Sequence, residues 1–430
     1  MTIFKIKPRG HDMYSWASDL YPICRSITGQ GVRKTLSYIK ELIPDITIHE
    51  VPSGKKVFDW TVPEEWFIYD AWIEDDNGKK IVDFKNNNLH LVGYSIPIDA
   101  TLSLEKLQNH LYSLPDQPNA IPYVTSYYKK DWGFCLSHNQ RESLKNGNYK
   151  VHINSELKKG FLNYGEVYIK GRSKKEVFLS TYICHPSMAN NELSGPVVTT
   201  ALVQWLKASL DLNYSYRIVF IPETIGSITY LSKNYKKLKS NVIAGYNISC
   251  VGDDLAYSYM PSRDGNTMSD KAALHCLTHL AKDFKQYSWL DRGSDERQYC
   301  APGIDMPIAS IMRTKYGEYP EYHTSLDNMS FISPDGLNGA LNIISHAIGC
   351  IENNLFPKAL ILGEPQLGKR GLYPDTSIKG SAKDTDIMMN ILTYADGKRD
   401  LIDISNILGV PLWEVKKIVD LLQENKLISV

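Results

Sequence analysis

Three groups of polar residues directly follow short apolar runs in this sequence, and each group contains side chains that can bind a metal or transfer a proton. The first group follows the run VFLSTYIC and consists of His185 and the loop residues Asn190, Asn191 and Glu192. Imidazole, carboxamide and carboxylate groups brought together at the end of a strand suit a divalent metal. Alternatively, His185 packs in the core and the asparagines only form turns, which is the more common case for a lone histidine.

The other two groups centre on Glu223 and His323. Glu223 follows the run YRIVFIP, where a carboxylate can accept a proton from water, although a glutamate at a helix start is also stabilised by the helix dipole alone. His323 lies in an acidic, tyrosine-rich loop between a predicted strand and a predicted helix, and it could equally be a surface histidine. Because ligands bind outside the carboxyl ends of the strands in open α/β sheets, the three groups are predicted to meet in one crevice.

The apolar runs that precede these groups alternate with helical patterns. EVYIKG, EVFLSTYIC, YRIVFIP and VIAGYNISCV are short and rich in β-branched and aromatic residues, whereas PVVTTALVQWLKASL and SDKAALHCLTHLAKDF have helical spacing. This alternation predicts an α/β domain with a mainly parallel sheet flanked by helices. Residues 11–45 are predicted to form one helical segment that ends at Pro44.

Two further units are predicted outside the α/β domain, which itself comprises residues 1–51 and 151–357. Residues 52–150 alternate apolar and polar residues in TVPEEWFIYDAWIED and NLHLVGYSIPID and are interrupted by prolines. They are predicted to form a small inserted β-rich domain without catalytic residues. Residues 362–430 have a helix-turn-helix spacing, with Gly409 and Pro411 between two helical patterns, and are predicted to form a winged helix.

Composition argues against several classes of protein. With 48 basic and 48 acidic residues among 430, the chain has no net charge that would favour nucleic acid or an anionic membrane. Residues 383–430 contain six basic and eight acidic residues, a net charge of −2, so the winged helix is predicted to contact protein and not nucleic acid. Seven scattered cysteines without a CxxC pair, no signal peptide and no long apolar stretch predict a cytoplasmic protein that does not enter the membrane.

The order of the motifs resembles that of a known class of enzymes. His185, the box NNELSG, Glu223 with TIGS, SDERQY and YHTSLD follow the motif order of the metallo-aminopeptidases of the peptidase M28 class. The box HPSxANxxLSG, the insertion and the C-terminal winged helix resemble still more closely a bacterial aminopeptidase-like family often associated with polysaccharide biosynthesis, over essentially the whole chain. The resemblance implies a zinc-exopeptidase-like fold, His185 and His323 as metal ligands, and Glu223 as the general base acting on water.

Three positions depart from the peptidase pattern. Asn191 stands where the peptidases have a metal-bridging aspartate, beside Glu192. Thr224 replaces the second glutamate of a Glu-Glu pair, and the later aspartate ligand falls at or near Ser249. A neutral Asn191 cannot offset the charge of two dications, so we expect a single divalent metal, with zinc as the first choice. The predicted metal ligands are His185, Asn191, Glu192 and His323.

The predicted function is the metal-dependent hydrolysis of an amide bond, in a peptide or in an amino-acyl or sugar-linked substrate. Asp295 and Glu296 are predicted to hold a free amine of the substrate, and Arg297 or Arg263 a carboxylate, unless residues 295–297 are only a solvated helix start. A different class of function is also open: a non-catalytic binding or scaffolding protein that retains the fold with a degenerate metal site. Either protein could form a homo-oligomer or bind a protein partner through the winged helix or the inserted domain.

Overall fold

The computed structural model describes residues 6–209, 211–372 and 383–430, in which helices and strands alternate through much of the chain. In chain order the α-helices are α1 (Gly10–Leu20), α2 (Gln30–Leu42), α3 (Leu104–Leu107), α4 (His138–Glu142), α5 (Ser194–Ala208), α6 (Ile225–Asn241), α7 (Met268–Leu280), α8 (Glu296–Tyr299), α9 (Pro334–Glu352), α10 (Lys383–Tyr394), α11 (Leu401–Leu408) and α12 (Leu412–Glu424). The β-strands are β1 (Thr47–Pro52), β2 (Lys56–Val57), β3 (Trp60–Thr61), β4 (Glu65–Glu74), β5 (Lys80–Asp83), β6 (Ile98–Ser103), β7 (Leu111–Tyr112), β8 (Phe134–Cys135), β9 (Asn148–Lys158), β10 (Phe161–Ile169), β11 (Glu176–Tyr182), β12 (Ser215–Ile221), β13 (Val242–Asn247), β14 (Ser258–Met260), β15 (Lys285–Gln286), β16 (Ile308–Met312), β17 (Lys358–Ala359) and β18 (Ile428–Ser429). No helix within the described ranges has the length and hydrophobicity needed to cross a bilayer.

A large mixed sheet forms the centre of the fold, with the strand order β1-β10-β12-β11-β13-β16-β14-β15. Strands β12, β11, β13 and β16 run parallel to one another, while β10 and β14 pair antiparallel on either side of them. The predicted α/β fold with a mainly parallel sheet and flanking helices is therefore confirmed. Because neighbouring parallel strands end at the same edge, β11, β12, β13 and β16 present the residues that follow them to one crevice.

Both faces of the central part of this sheet are covered, which explains why β11, β12, β13 and β16 are mainly apolar and buried along their length. Along β11, Val177 and Leu179 belong to the core shared with α1, α5 and α9, whereas Phe178 and Tyr182 belong to the core shared with α6. Burial of each apolar side chain of this size stabilises the fold by about 1.5–3 kcal/mol. The packed sheet thereby gives the loops at its carboxyl edge a rigid support.

Two segments differ from the predictions made from the sequence. Residues 11–45 form two helices instead of one, because α1 ends at Leu20 and α2 begins only at Gln30. Gly29, directly before α2, has a φ of 99°, a conformation that glycine adopts without steric cost. The segment NLHLVGYSIPID begins with a short 3₁₀ helix, and only its last two residues belong to strand β6.

Between β1 and β10 the chain builds a second, antiparallel sheet with the strand order β5-β4-β9-β6. Strand β4 pairs with β9, and Ala71, Ile73, Val151 and Ile153 are buried on one side of this pair. Strand β9 leads through a short turn into β10 of the central sheet. The inserted part is β-rich, as predicted, and the predicted domain boundaries at residues 52–150 and 362–430 stay proposals.

The C-terminal part consists of α10, α11 and α12 with the two-stranded sheet β17-β18. A turn at Gly409, which has a φ of 63°, separates α11 from α12 and produces the helix-turn-helix arrangement that the sequence predicts. Leu401, Ile404 and Leu412 belong to the same apolar core as residues of α7 and α9. The winged helix is therefore packed onto the α/β domain.

Candidate metal centre and catalytic site

The crevice at the carboxyl edge of the central sheet brings the three predicted groups together. His185 follows β11, Glu223 follows β12, and His323 lies in the loop between β16 and α9. His185 Nε2 lies 3.6 Å from Glu223 Oε2, and the ring centroids of His185 and His323 are 5.5 Å apart. The two imidazoles and the carboxylate therefore face one crevice.

A buried ion pair holds the other nitrogen of His185. His185 Nδ1 lies 3.0 Å from Glu192 Oε2, and because the acceptor is a carboxylate, Nδ1 carries the proton and Nε2 faces Glu223. Arg25 Nε lies 3.4 Å from Glu192 Oε1 and donates to the His185 carbonyl oxygen at 2.9 Å. The side chains of Arg25 and Glu192 are both 0 % exposed. Glu192, predicted as a metal ligand, thus orients His185 and is already paired with a cation.

Burial also changes the pKa of the site carboxylate. Desolvation raises the pKa of Glu223 above its usual value, while the charges of His185 and Arg297 act in the opposite direction. The Glu223 backbone N–H donates to Cys184 Sγ at 3.2 Å, a contact that holds the turn after β12. A raised pKa makes a carboxylate a stronger base, which favours proton transfer from water. Glu223 therefore has the properties of a general acid–base group.

Three buried polar atoms beside His185 have no hydrogen-bond partner among the described residues: His323 Nε2, Asn191 Oδ1 and Glu192 Oε1, the last of which faces Arg25 Nε at 3.4 Å. The His323 ring stacks on Tyr322 at a centroid distance of 3.9 Å. Burial, together with the charge of His185, lowers the pKa of His323 to about 3, so the ring is neutral and keeps a lone pair. Asn191 Nδ2 donates to the Tyr182 hydroxyl at 3.0 Å, which leaves the amide oxygen free. Unpaired buried acceptors of this kind fit the ligation of a metal ion.

A second donor set lies on the other side of His185. Cys184, His185 and Glu192 place possible ligand atoms within 4.8 Å of one another, and the described ranges contain no other such group. However, Arg25 already balances the charge of Glu192, and burial raises the pKa of Cys184 to about 11, so the thiol stays protonated. Metals bind the thiolate form of cysteine. The donors around Nε2 of His185 therefore suit a metal better by their chemistry, although His185, Glu223 and His323 do not all place ligand atoms within 4.8 Å of one another.

The loop between His185 and α5 is held by residues that lie far along the chain. The buried carboxylate of Asp327 accepts the backbone N–H groups of residues 189–191, at 3.1, 2.6 and 2.9 Å. Asn190 Nδ2 donates to Asp253 Oδ2 at 2.9 Å, so this asparagine supports the loop. The NNELSG box thus acts in part as a scaffold that keeps the neighbouring site residues in place.

The two acids predicted to hold a substrate amine lie beside the site, but both are buried and engaged within the protein. Asp295 Oδ1 accepts from Thr224 N at 2.8 Å and from Ser227 Oγ at 2.7 Å, and it thereby holds Thr224 at a φ of 61°. Burial and the neighbouring Glu223 raise the pKa of Asp295 to about 7. Glu296 accepts hydrogen bonds from Gly293 N, Ser294 N, Tyr316 Oη and Asn247 Nδ2, at 3.0, 2.9, 2.7 and 3.1 Å. Both acids support the turns around the site and do not line its opening.

The two predicted arginines lie at opposite ends of the strands of the central sheet, Arg297 at the carboxyl ends of the parallel strands and Arg263 at their amino ends. Arg297 is exposed at the site, and its Nη2 donates to Thr224 Oγ1 at 2.8 Å. Arg263 follows β14, which runs antiparallel to β16 and leads away from the carboxyl edge. It pairs with Asp305 at 2.7 Å, and Asp305 pairs with Lys239 near the end of α6, also at 2.7 Å. The structure does not bring Arg263 to the site.

Arg25 and Tyr123 belong to the site although no motif predicts them. Tyr123 lies in the inserted part, and its ring centroid is 5.3 Å from that of His185 and 5.1 Å from that of His323. Tyr123 N also donates to the His323 carbonyl oxygen at 2.8 Å. The inserted part, in which no catalytic residues are predicted, thus contributes a tyrosine that packs against both imidazoles. An arginine within the otherwise uncharged run LYPICRSITG is a signal for Arg25, whereas nothing distinguishes Tyr123 among 27 tyrosines.

Two models of known protein families match this chain. A family model described as a domain of unknown function, DUF4910, matches residues 14–354. The chain belongs to the DUF4910 family. A model described as a winged helix-turn-helix matches residues 355–430 of this DUF4910 protein, which confirms the predicted winged helix.

This DUF4910 protein also resembles proteins of known sequence and structure. A Clostridium acetobutylicum protein, named as a polysaccharide biosynthesis protein with an aminopeptidase-like domain, is 44 % identical over 428 residues, 98 % of this chain and 96 % of the relative. A crystal structure of a candidate peptidase from C. acetobutylicum matches with a TM-score of 0.92 and 42 % identity, over 98 % of this chain and 96 % of that one. A zinc aminopeptidase from Bacillus subtilis matches with a TM-score of 0.59 and 13 % identity, over 80 % of this chain and 95 % of its own. The predicted aminopeptidase-like fold is confirmed.

Proposed function

We propose that this DUF4910 protein is a hydrolase that cleaves an amide bond with one divalent metal ion. The observation that carries the proposal is the convergence of His185 Nε2, the Glu223 carboxylate and the unpartnered His323 Nε2 in one crevice. The aminopeptidase-like fold supports the same function. Because one fold can host many functions, the proposal depends more on these side chains than on the similarity of the fold to that of an aminopeptidase.

The side chains around His185 Nε2 fit a single metal ion. His185 and His323 would supply imidazole nitrogens and Asn191 an amide oxygen. Arg25 already neutralises Glu192, and Asn191 is uncharged, so the site has too little negative charge for two dications. Zinc is the first candidate, since a zinc aminopeptidase shares the fold. A bound divalent ion would supply a Lewis acid that polarises the amide carbonyl.

Glu223 is proposed to move the protons of the reaction. Its carboxylate would accept a proton from the attacking water and return it to the leaving nitrogen. The Arg25–Glu192 pair keeps the His185 ring in one tautomer and one orientation. Tyr123 packs edge-on against both imidazoles and excludes solvent from that side of the crevice.

The proposed substrates are peptides, amino-acyl conjugates and sugar-linked amides, and the name of the Clostridium relative favours the last of these. All seven cysteines are free thiols, which supports a reducing compartment, and we propose the cytoplasm. A non-catalytic binding protein is the alternative, because Asn191, Thr224 and Ser249 stand where the peptidases have acidic ligands.

Metal content separates the hydrolase from this alternative. Protein purified without chelator and supplied with zinc is expected to retain about one metal ion per chain, measured by inductively coupled plasma mass spectrometry. His323→Asn should lose most of this metal because an imidazole ligand is removed, and asparagine tolerates the φ of 56° at this position. His11→Asn, on an exposed position of α1, is the control and should keep the wild-type content. A wild-type chain that takes up no metal would contradict the hydrolase and favour the binding protein.

We propose that the winged helix contacts protein and does not bind nucleic acid. Helix α12 corresponds to the recognition helix, whose N-terminal residues read base edges in helix-turn-helix proteins. Leu412 N, at the start of α12, donates to His275 Nε2 of α7 at 2.9 Å, and His275 Nδ1 lies 2.6 Å from Asn406 Oδ1 of α11. The end of α12 that would enter a DNA groove is therefore covered by the α/β domain.

The full chain is expected to bind duplex DNA with a Kd weaker than about 1 µM at physiological salt, because few basic side chains are available for phosphate contacts. Fluorescence anisotropy with a labelled duplex, repeated over a range of salt concentrations, measures this affinity. Sub-micromolar binding with a steep salt dependence would show that the winged helix does contact phosphate.

A further inference from the structure

Arg297 is an exposed cation at the mouth of the site. Its side chain makes one hydrogen bond within the described part of the chain, from Nη2 to Thr224 Oγ1 at 2.8 Å. A guanidinium has five N–H donors in a planar fork, so most of the donors of Arg297 are open to solvent or to a ligand. The contact with Thr224 also keeps the guanidinium next to the turn that carries Glu223.

Arg297 lies beside the groups that are proposed to react. Thr224, whose hydroxyl oxygen accepts from Arg297, directly follows Glu223 in the chain, and Glu223 Oε2 lies 3.6 Å from His185 Nε2. The Arg297 side chain is exposed, so its guanidinium is accessible to a ligand that enters the crevice.

The acids beside Arg297 cannot serve a substrate amine in this arrangement. Asp295 is fully buried: its Oδ1 accepts from Thr224 N and Ser227 Oγ, and its Oδ2 has no hydrogen-bond partner among the described residues. Glu296 is also fully buried and accepts four hydrogen bonds from the protein. Neither Asp295 nor Glu296 is exposed to a substrate ammonium group, whereas Arg297 is exposed. A carboxylate or phosphate would instead find open donors in a geometry suited to bidentate hydrogen bonds.

We propose that the ionic group of the substrate nearest to the scissile amide is an anion, a carboxylate or a phosphate held by Arg297, and that it is not a free amine. This inference rests on the proposed function in one respect, since it takes Glu223 to mark the reacting end of the substrate. It narrows the substrate class to amides such as N-acylated amino acids or acidic sugar-linked amides. Arg297 is then a specificity-determining residue.

Three small amides that differ in their charged group test the proposal by ligand-observed NMR. N-acetylglycine carries a carboxylate, (acetylamino)methylphosphonate a phosphonate, and glycinamide an amine. Both anions should bind at least about tenfold more tightly than glycinamide, and the tighter of the two identifies the kind of anion. Arg297→Gln should weaken anion binding by roughly 10- to 100-fold, the effect of losing a charge-assisted hydrogen bond, while Arg297→Lys should retain much of it.

Arg292→Gln is the matched control, because Arg292 is exposed in the same segment, stacks on Trp289 and makes no contact with the site. It should bind all three amides like the wild type. Tighter binding of glycinamide, or unchanged anion binding in Arg297→Gln, would overturn the proposal. Anion binding that is lost on chelation but unchanged in Arg297→Gln would assign the anion to the metal and overturn it as well. These measurements need no turnover, so a protein without hydrolase activity could still pass or fail them.

Discussion

Glu223→Gln is expected to lower the rate of amide hydrolysis by about 10²–10⁴-fold, the usual contribution of general acid–base catalysis. Glutamine keeps the length and the hydrogen-bonding capacity of the side chain but cannot accept a proton. The Glu223 backbone contact with Cys184 and the neighbouring bonds of Asp295 do not involve the exchanged carboxylate. Metal content and the thermal midpoint should therefore change little.

Steady-state kinetics together with metal analysis of the same preparation distinguish the roles that Glu223 could have. A lower rate of hydrolysis with unchanged metal content would support a role of Glu223 in proton transfer. Loss of the metal would instead show that Glu223 is a metal ligand, in place of the acidic ligands that the peptidases have and this chain does not. Glu318→Gln is the control, since Glu318 is an exposed acid in the His323 loop and its loss should leave the rate unchanged. A rate unchanged in Glu223→Gln against a verified substrate would remove Glu223 from the mechanism.

Arg25→Met is expected to destabilise the protein by about 3–5 kcal/mol, because it leaves the Glu192 carboxylate buried without its cation. Methionine fills much of the arginine volume, so the effect should arise from charge more than from a cavity. The same variant should bind the metal about 10- to 100-fold more weakly, since Glu192 then holds His185 less firmly. Urea unfolding measures the free energy, and competition with a chelating dye measures the metal affinity.

The double variant Arg25→Met/Glu192→Gln tests the charge argument directly. Glutamine is neutral and its amide oxygen can still accept from His185 Nδ1, so most of the stability lost in Arg25→Met should return. Lys158→Met, which breaks the exposed pair with Glu156, should cost no more than about 1 kcal/mol. A double variant as unstable as Arg25→Met alone would show that this region is stabilised by the packing of the arginine and its hydrogen bonds to the carbonyl oxygens of Leu20 and His185, and not by its charge.

Much of the central fold could be predicted because its strands are buried on both faces. Strands β11, β12 and β13 are mainly apolar and buried at nearly every position for this reason, and helices between them restrict the chain to a mainly parallel arrangement. The structure has a break between α1 and α2 where the sequence predicts one helix, and the turn there depends on the local conformation of Gly29. The segment NLHLVGYSIPID has the alternating pattern of a strand, but it begins as a 3₁₀ helix and joins a sheet only where β6 begins.

At the site, the sequence by itself determined that His185 and Glu223 directly follow apolar strands and that His323 lies in the loop after another strand. Because these strands are parallel, the three residues lie at the same edge of the sheet. Only the tertiary structure decided what the other polar residues do. Glu192 orients His185 because Arg25, on a distant loop, reaches it within the core. Within the protein, other residues already bind Asp295, Glu296 and Arg263, and Tyr123 of the inserted part packs at the site. The physical reason is the same in each case. A polar side chain acts through the partners that long-range packing places beside it, and these partners cannot be read from the local spacing of residues.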